Sequence, residues 1–314
     1  LYTRDGNMTV SPQGFLVTKD GAQVMGYPAT NGVVNPNGPL GALQLGGSVT
    51  SPPKSTGNVQ VALNLDASAA TGSSFSTPVT VYDSLGTSHV LTFNFTKSAA
   101  NSWNYSITVP GSDVGSGSSS VPVTGGSGSL TFNGNGVLTS PTSNVTGLQI
   151  TGLADGASNL TFNWNLFNSN NAPVVTQVAS PSAPLSTQQD GFGSGTLTSF
   201  NIQSDGTVEG TFDNGQSMAM GQIAIAAFPN TQGLLRTGSN QFLASLASGL
   251  PAVGTPGTSG RGTISDGALE GSNVDIATQF AQLISTQSAY QADSRAITTA
   301  NQFVQTALNL IPMP

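Results

Sequence analysis

The chain holds one histidine, His89, with Ser88 beside it and Asp83 a short step upstream. A serine nucleophile, an imidazole base and an orienting carboxylate are the three parts of triad-type acyl transfer. Neighbours on a strand point to opposite faces, so Ser88 and His89 are not expected to meet. A turn-flanking or packing role is the expectation for His89. Asp205-Gly206 and Asp213-Asn214-Gly215 offer carboxylates of the kind that hold calcium. The EF-hand spacing with its closing Glu is absent, and turn chemistry accounts for both. Gly191-Phe192-Gly193-Ser194-Gly195 is glycine-rich, but the helix that a dinucleotide loop needs does not follow it. Trp103 and Tyr105 would share one strand face and could stack on a sugar. Residues so placed more often pack inward. No catalytic, cofactor-binding or metal residue is assigned, and no enzymatic activity is expected.

Composition narrows the classes further. The chain has 314 residues, 37% of them hydrophobic and only 7% charged, with 39 glycines. Average domains carry about a quarter charged residues. Here Gly, Ser, Thr and Asn fill the polar positions, which suits a β-rich, loop-rich protein. A net charge of −7 argues against a nucleic-acid partner, which needs a basic footprint. Seven Lys and Arg are too few for a polybasic membrane patch, and no apolar run reaches the length of a membrane span. The absence of cysteine removes disulfides, thiolate metal sites and a cysteine nucleophile. The chain opens at Leu1 without an initiator Met and without a cleavable signal pattern, so a preceding segment is expected.

The elements follow from pattern. In residues 1–50, Asp5-Gly6-Asn7 and Asp20-Gly21 read as hairpin turns between short strands. Pro52-Pro53 marks a break, and an alternating strand follows at Val59, Val61, Leu63 and Leu65. Residues 66–187 form a second β region. Val79 and Val81, then Val90 to Phe95, flank a turn at Asp83-Ser84-Leu85-Gly86. Trp103, Tyr105, Ile107 and Val109 alternate with period two. Residues 111–129 read as a mobile Gly/Ser loop, and Pro173, Pro181 and Pro184 as the exit from the region. Met218 to Phe228 reads as one buried strand, and residues 248–263 as a linker.

The tail differs in kind. Apolar residues recur at Ile276, Phe280, Leu283, Tyr290, Ile297, Val304, Leu308 and Ile311, in alternating steps of three and four. That is the seam of a coiled coil. A helix over 273–311 would be roughly 58 Å long. Gln287, Ser294 and Asn301 place a polar residue on the seam once per heptad, which weakens a dimeric coil but helps fix register; facing a wet channel or a neighbouring helix, or a simple solvated stripe, are the other readings. Ile284 and Tyr290 are expected to face other helices. Ser272-Asn273-Val274-Asp275 resembles a capping box with Asp in place of Glu. Nothing else in the sequence reads as helix, so the seam needs a partner outside it. An isolated helix of this kind is marginal in water.

Four stretches resemble the bacterial flagellar axial proteins, and among them the hook proteins. These are Tyr2-Thr3-Arg4-Asp5-Gly6-Asn7 with Gly14-Phe15-Leu16-Val17 and Val24-Met25-Gly26-Tyr27; Val79 to Gly86 with His89; Gly221 to Ala226 with Phe228, Asn230 and Gly233-Leu234; and Gly267 to Asp275 with Gln287 to Gln291. The first and last are shared by rod and hook proteins, and the second resembles the hook proteins' outer domain. The resemblance implies a mainly β fold with a long C-terminal assembly helix. Residues 1–65 and 188–262 would form a discontinuous middle domain, 66–187 an inserted outer domain, and 263–314 a linker and axial-core helix. It further implies a self-assembling helical homopolymer on the extracellular flagellum, exported through the type III apparatus without a cleaved signal. The implied partners are rod and hook–filament junction proteins, the hook cap and the export apparatus. The family's N-terminal amphipathic helix, which pairs with the C-terminal one, is missing from this sequence. A distal rod protein, expected to lack residues 66–187, and a secreted adhesin or sugar-binding β protein are the alternatives.

Overall fold

A computed structural model describes residues 1–46, 49–268 and 271–309. Ile311, the last seam position, and Leu269-Glu270 of the tail motif lie outside the described residues. The chain divides into two units, Leu1–Asp266 and Gly267–Pro314. The first is built from β-strands. The second contains one helix, Ile276–Asn309.

The larger β body is a ten-stranded sheet. Its continuous path runs from Val175–Thr176 through Asn58–Asn64, Leu160–Asn165, Val145–Ile150, Ser120–Phe132, Ser102–Pro110 and Ser88–Ala99 to Ser74–Tyr82. Period-two alternation sends Phe93 and Phe95 inward from one strand, and Trp103, Tyr105, Ile107 and Val109 from its neighbour. Phe93 lies opposite Ile107, and Phe95 opposite Tyr105. Trp164 sits among them, its ring centroid 5.2 Å from that of Phe93 and 5.0 Å from that of Tyr105 in edge-on contacts. Such geometry suits the aromatic quadrupole. Buried aliphatics on the surrounding strands complete one continuous core.

Several sequence expectations are corrected here. The Gly/Ser-rich stretch 111–129 is not a loop throughout: Gly111–Val114 is a single 3-10 turn, and residues from Ser120 onward are strand. Glycine is required in that strand because a Cβ on Gly128 would stand 2.7 Å from the Tyr105 hydroxyl, and one on Gly126 3.1 Å from Ile107 Cβ. Pro184 does not mark an exit. It lies in Ala183–Gln189, which pairs antiparallel to Asn58–Asn64 at a place where a proline is tolerated, on the edge of the ladder. Asn58–Asn64 and Ala183–Gln189 thus belong to the ten-stranded sheet, so the chain enters that body at 52–57 and leaves it at 189–194, rather than at 65 and 187.

The smaller β body is a seven-stranded sheet ordered Val33–Val34, Met25–Thr30, Ser217–Ile223, Thr207–Phe212, Gly195–Ile202, Thr50–Ser51, with Gly41–Ala42 also paired to Met25–Thr30. Its core is small: Leu16, Leu43, Leu45, Val208, Met220 and Ile223. Asp20-Gly21 closes a tight turn as expected, with Gly21 N–H donating to Thr18 O at 2.9 Å and φ +81 at the glycine. Asp5-Gly6-Asn7 closes no hairpin. Asp5 Oδ1 accepts the Asn7 N–H, which redirects the chain locally, while Tyr2–Thr3 pairs far away with Gln241–Leu243. Local turn chemistry bends a backbone without choosing its strand partner. The Met218–Phe228 run is two strands with different partners, Ser217–Ile223 and Ile225–Ala227. The second pairs with Ala252–Gly254, so 248–263 is folded onto the body rather than a free linker. Arg261 Nε donates to Thr255 O at 2.9 Å, and Ile264 packs on the small core.

Candidate assembly interface

The helix Ile276–Asn309 has 34 residues and rises about 51 Å. It begins three residues later than the sequence pattern suggests. Asp275, not Ser272, is the N-cap: its Oδ1 accepts the Ala277 N–H at 2.9 Å and its Oδ2 the Thr278 hydroxyl at 2.8 Å. Ser272 Oγ instead accepts the Val274 N–H in a turn before the helix. Asp wins the cap because its carboxylate satisfies first-turn donors and meets the positive end of the helix dipole. Those hydrogen bonds hold its carboxyl below the ordinary carboxylate value.

Along the helix, Ile276, Phe280, Leu283, Ile284, Tyr290, Ile297, Val304 and Leu308 are all between 52% and 75% exposed. Gln287 and Asn301 are exposed with them. One apolar residue that the seam pattern passes over is Phe303, which is 78% exposed. It stands one residue, or about 100°, round from Val304 and widens the apolar face. Asp293 and Arg295 are the only charged residues between Ile276 and Asn309. Thr286, Thr298 and Thr306 turn their hydroxyls back onto the carbonyls of Gln282, Ser294 and Gln302. These three hydroxyls are satisfied within the helix, whereas its apolar side chains lie uncovered. Solvated singly, such residues are ordinary; recurring along one helix they make an exposed apolar stripe.

The residues considered for chemistry fall elsewhere. Trp103 and Tyr105 share a face as expected, but that face is the core, and both are buried. Trp103 Nε1 donates to Gln177 Oε1 at 3.1 Å, and no sugar platform is exposed there. Asp205 Oδ1 accepts the Thr207 N–H at 2.9 Å, and Asp213 Oδ1 the Thr196 N–H at 2.8 Å. Both carboxylates serve backbone turns and strand ends.

His89 is buried, and its surroundings were not legible from spacing. Its Nε2 lies 3.0 Å from Asp83 Oδ2 and its Nδ1 lies 2.9 Å from Asp113 Oδ2. Ser88 does not join them. Burial pushes the Asp83 carboxyl up. Hydrogen bonds from His89 and Asp155, and from the Thr87 and Leu85 backbone, outweigh it and hold the group at about 2. Burial pushes the His89 ring down, and its bonds to Asp83 and Asp113 outweigh that and raise it. Ligand atoms of Asp83, His89 and Asp155 lie within 4.8 Å of one another. Both imidazole nitrogens already face carboxylates, which makes this a hydrogen-bonded network that is ionic when the ring is protonated.

Comparison with known proteins follows the same division. The family described as the flagellar basal body protein FlaE D2 domain matches residues 17–192, and that described as the flagellar basal body rod FlgEFG protein C-terminal matches 265–310. The flagellar hook protein FlgE of Salmonella typhimurium is 33% identical over 331 aligned positions, covering 99% of this chain and 77% of that protein. The Escherichia coli flagellar hook protein FlgE is 32% identical, with the same coverage of both chains. The Helicobacter pylori flagellar hook protein FlgE is 35% identical over 242 positions, 76% of this chain and 33% of that protein. The solved structure of Helicobacter pylori flagellar hook protein FlgE2 superposes with a TM-score of 0.51 at 15% identity, over 81% of this chain and 89% of that one, which shows a shared fold.

Proposed function

We propose, from the premise that this chain belongs to the flagellar hook protein family, that its helix carries the contacts by which copies assemble into the hook. The chain is a structural subunit of the bacterial flagellar hook, the short curved tube that passes motor torque to the filament. The observation that carries the assembly role is the uncovered apolar face from Ile276 to Leu308. Burying an apolar side chain of this size contributes about 1.5–3 kcal/mol. A row of them on one helix, with two charges in its length, is suited to other helices and poorly suited to water.

The same reading assigns the rest of the molecule. Residues 66–187, with the strand Asn58–Asn64 and the end of Ala183–Gln189 that complete their sheet, are the outer domain. Residues 1–57 and 190–266 form the middle one. The helix belongs to the tube's axial core. Torque is transmitted without chemistry: the β bodies tilt and slide against neighbouring copies as the tube turns. A surface with few charges supports this, since polar Ser, Thr, Asn and Gly contacts exchange readily with water. Among the described residues, Lys54 to Asp190 at 3.5 Å is the only lysine or arginine ion pair. Rod and junction proteins, the cap and the export apparatus are the further partners, and export proceeds without a cleaved signal. The ten-stranded body disfavours the distal rod alternative, and the burial of Trp103 and Tyr105 removes the observation behind a glycan-binding one.

The test is a deletion of the gene in a motile parent, with basal bodies viewed by electron microscopy. Rods that end without a hook, restored by the full-length gene, are the expected result. Intact hooks in the deletion strain would refute the assignment.

A further inference from the structure

Hydrogen-bond chemistry at His89 has a consequence for the junction between the two β bodies. A neutral imidazole has one N–H donor and one bare acceptor nitrogen. Here both nitrogens face carboxylate oxygens, Asp83 Oδ2 at 3.0 Å and Asp113 Oδ2 at 2.9 Å, and carboxylates only accept. The arrangement is satisfied at both ends when the ring is an imidazolium with two N–H donors. The neutral ring would leave one carboxylate facing a lone pair.

The network ties three turns together. Asp83 begins the turn between Ser74–Tyr82 and Ser88–Ala99, and its Oδ1 accepts the Leu85 and Thr87 N–H groups at 2.8 and 2.9 Å. Asp113 lies in the 3-10 turn Gly111–Val114. Asp155 lies in the turn after Leu153 and is the third acidic group at the cluster. Ala154 N–H donates to Asp113 O at 2.8 Å, and Ser158 N–H to Ser84 Oγ at 3.1 Å, so each turn braces the next. No lysine or arginine among the described residues pairs with these three carboxylates; His89 pairs with Asp83 and Asp113, and Asp155 stands within 4.8 Å of the Asp83 and His89 ligand atoms.

The Asp83 turn also abuts the two chain segments that join the bodies. Gly86, at φ +87, sits so close to them that a Cβ there would stand 2.8 Å from Pro53 Cβ and 3.1 Å from Ser194 N. Lys54 and Phe192 exchange backbone hydrogen bonds at 2.9 Å. Thr56 Oγ1 accepts the Tyr82 N–H at 2.9 Å. Asp190 Oδ1 accepts the Gly57 and Asn58 N–H groups, both at 2.8 Å. On the other side, Asn214 of the smaller body donates to Gly193 O at 2.9 Å. The turn that His89 holds is therefore part of the seat on which the junction rests.

We propose that doubly protonated His89 is a pH-sensitive latch that stiffens this two-segment junction, and that loss of one proton to solvent releases the Asp83 turn and loosens it. The sign follows from the contacts. A histidine held by two carboxylates binds its proton more tightly folded than unfolded. The stabilisation is fully present below the unfolded value and is lost as pH rises through the folded one. In the hook this would make bending between the bodies easier at alkaline pH. That last step rests on the hook reading; the latch itself does not.

The chain's single histidine makes the test unambiguous. Two-bond proton–nitrogen correlation of the whole labelled chain should show a titration midpoint above the ordinary 6.5, with both ring nitrogens protonated below it. Asp113→Asn should move that midpoint back toward 6.5. Because the chain has no cysteine, Ser129→Cys and Ser199→Cys place one spin label on each body. The distance distribution between them should broaden as pH passes the His89 midpoint. In His89→Gln it should stay broad at every pH. A titration midpoint at or below 6.5, or a distribution indifferent to pH in the native background, would overturn the latch. Neither measurement requires assembly, so the latch and the hook assignment can fail separately.

Discussion

The ten-stranded body and the C-terminal helix spend similar residues in opposite ways. In the body, Phe93, Phe95, Trp103, Phe162 and Trp164 are each no more than 1% exposed. On the helix, Phe280, Leu283, Ile297 and Phe303 are each more than half exposed. Both patterns are regular: period two in the strands, and three-and-four spacing in the helix. The difference is that a sheet of ten strands can curl its apolar face onto itself, whereas one helix presents an apolar stripe with no second face to close it. The body closes its own core, and the helix leaves its apolar side chains uncovered, as the proposed assembly role requires.

Four experiments test that contrast. The largest effect is expected from a charge on the seam. Leu283→Asp or Ile297→Asp should abolish polymerisation, because an unpaired carboxylate buried between helices costs several kcal/mol per copy. The same variants should leave the melting of the β unit unchanged, since both positions are exposed in the single chain. Hooks of normal length from either variant would refute the seam.

Next, Trp164→Ala should destabilise the body by about 3–5 kcal/mol in denaturant unfolding, as large-to-small changes in a core do. Trp164→Phe should be far milder. Trp164 Nε1 is buried without a hydrogen-bond partner among the described residues, so the smaller ring removes an unpaired donor along with some packing.

The third concerns pH. Asp83 is held at about 2 against an ordinary 3.8, so its stabilisation is present above 3.8 and is lost as pH falls through about 2. By linkage that loss is about 2 kcal/mol. His89 is raised from 6.5, so its share is present below 6.5 and is lost at higher pH. Melting temperature against pH should show a plateau between those limits and fall on both sides. A decline beginning below pH 6.5 on the alkaline side would contradict the ion-pair network. The helix, with no such buried pair, should show no matching alkaline transition in its circular dichroism.

The smallest effect is at the helix start. Asp275→Ala removes the N-cap and should weaken the helix by fraying its first turn. A loss of helix content should be visible in circular dichroism, with β-unit melting unchanged. Restoration by Asp275→Asn would assign the effect to the cap oxygen rather than to the charge.

How much was legible in the sequence depended on the range of the force involved. The strands at Val79–Val81, Val90–Phe95 and Trp103–Val109, and the turn at Asp83–Gly86, are local patterns, and each stands where alternation and turn residues put it. The helix and its exposed apolar positions are likewise local, apart from the cap, where Asp275 replaced Ser272. The Gly/Ser-rich stretch misled because a strand's identity there came from its neighbours: glycine was needed to make room for Tyr105 and Ile107.

The residues near one another were enough for the division into β-rich chain and one long helix, and for the family, because periodicity and motif are local. Tertiary structure decided the pairings. It placed Asn58–Asn64 beside Ala183–Gln189, and Tyr2–Thr3 beside Gln241–Leu243. It also brought Asp83, Asp113 and Asp155 to one imidazole. Such contacts join residues far apart in the chain, so no local spacing encodes them. They form because burying one continuous core brings several turns to the same end of a sheet, and a buried charge left there must find its partner.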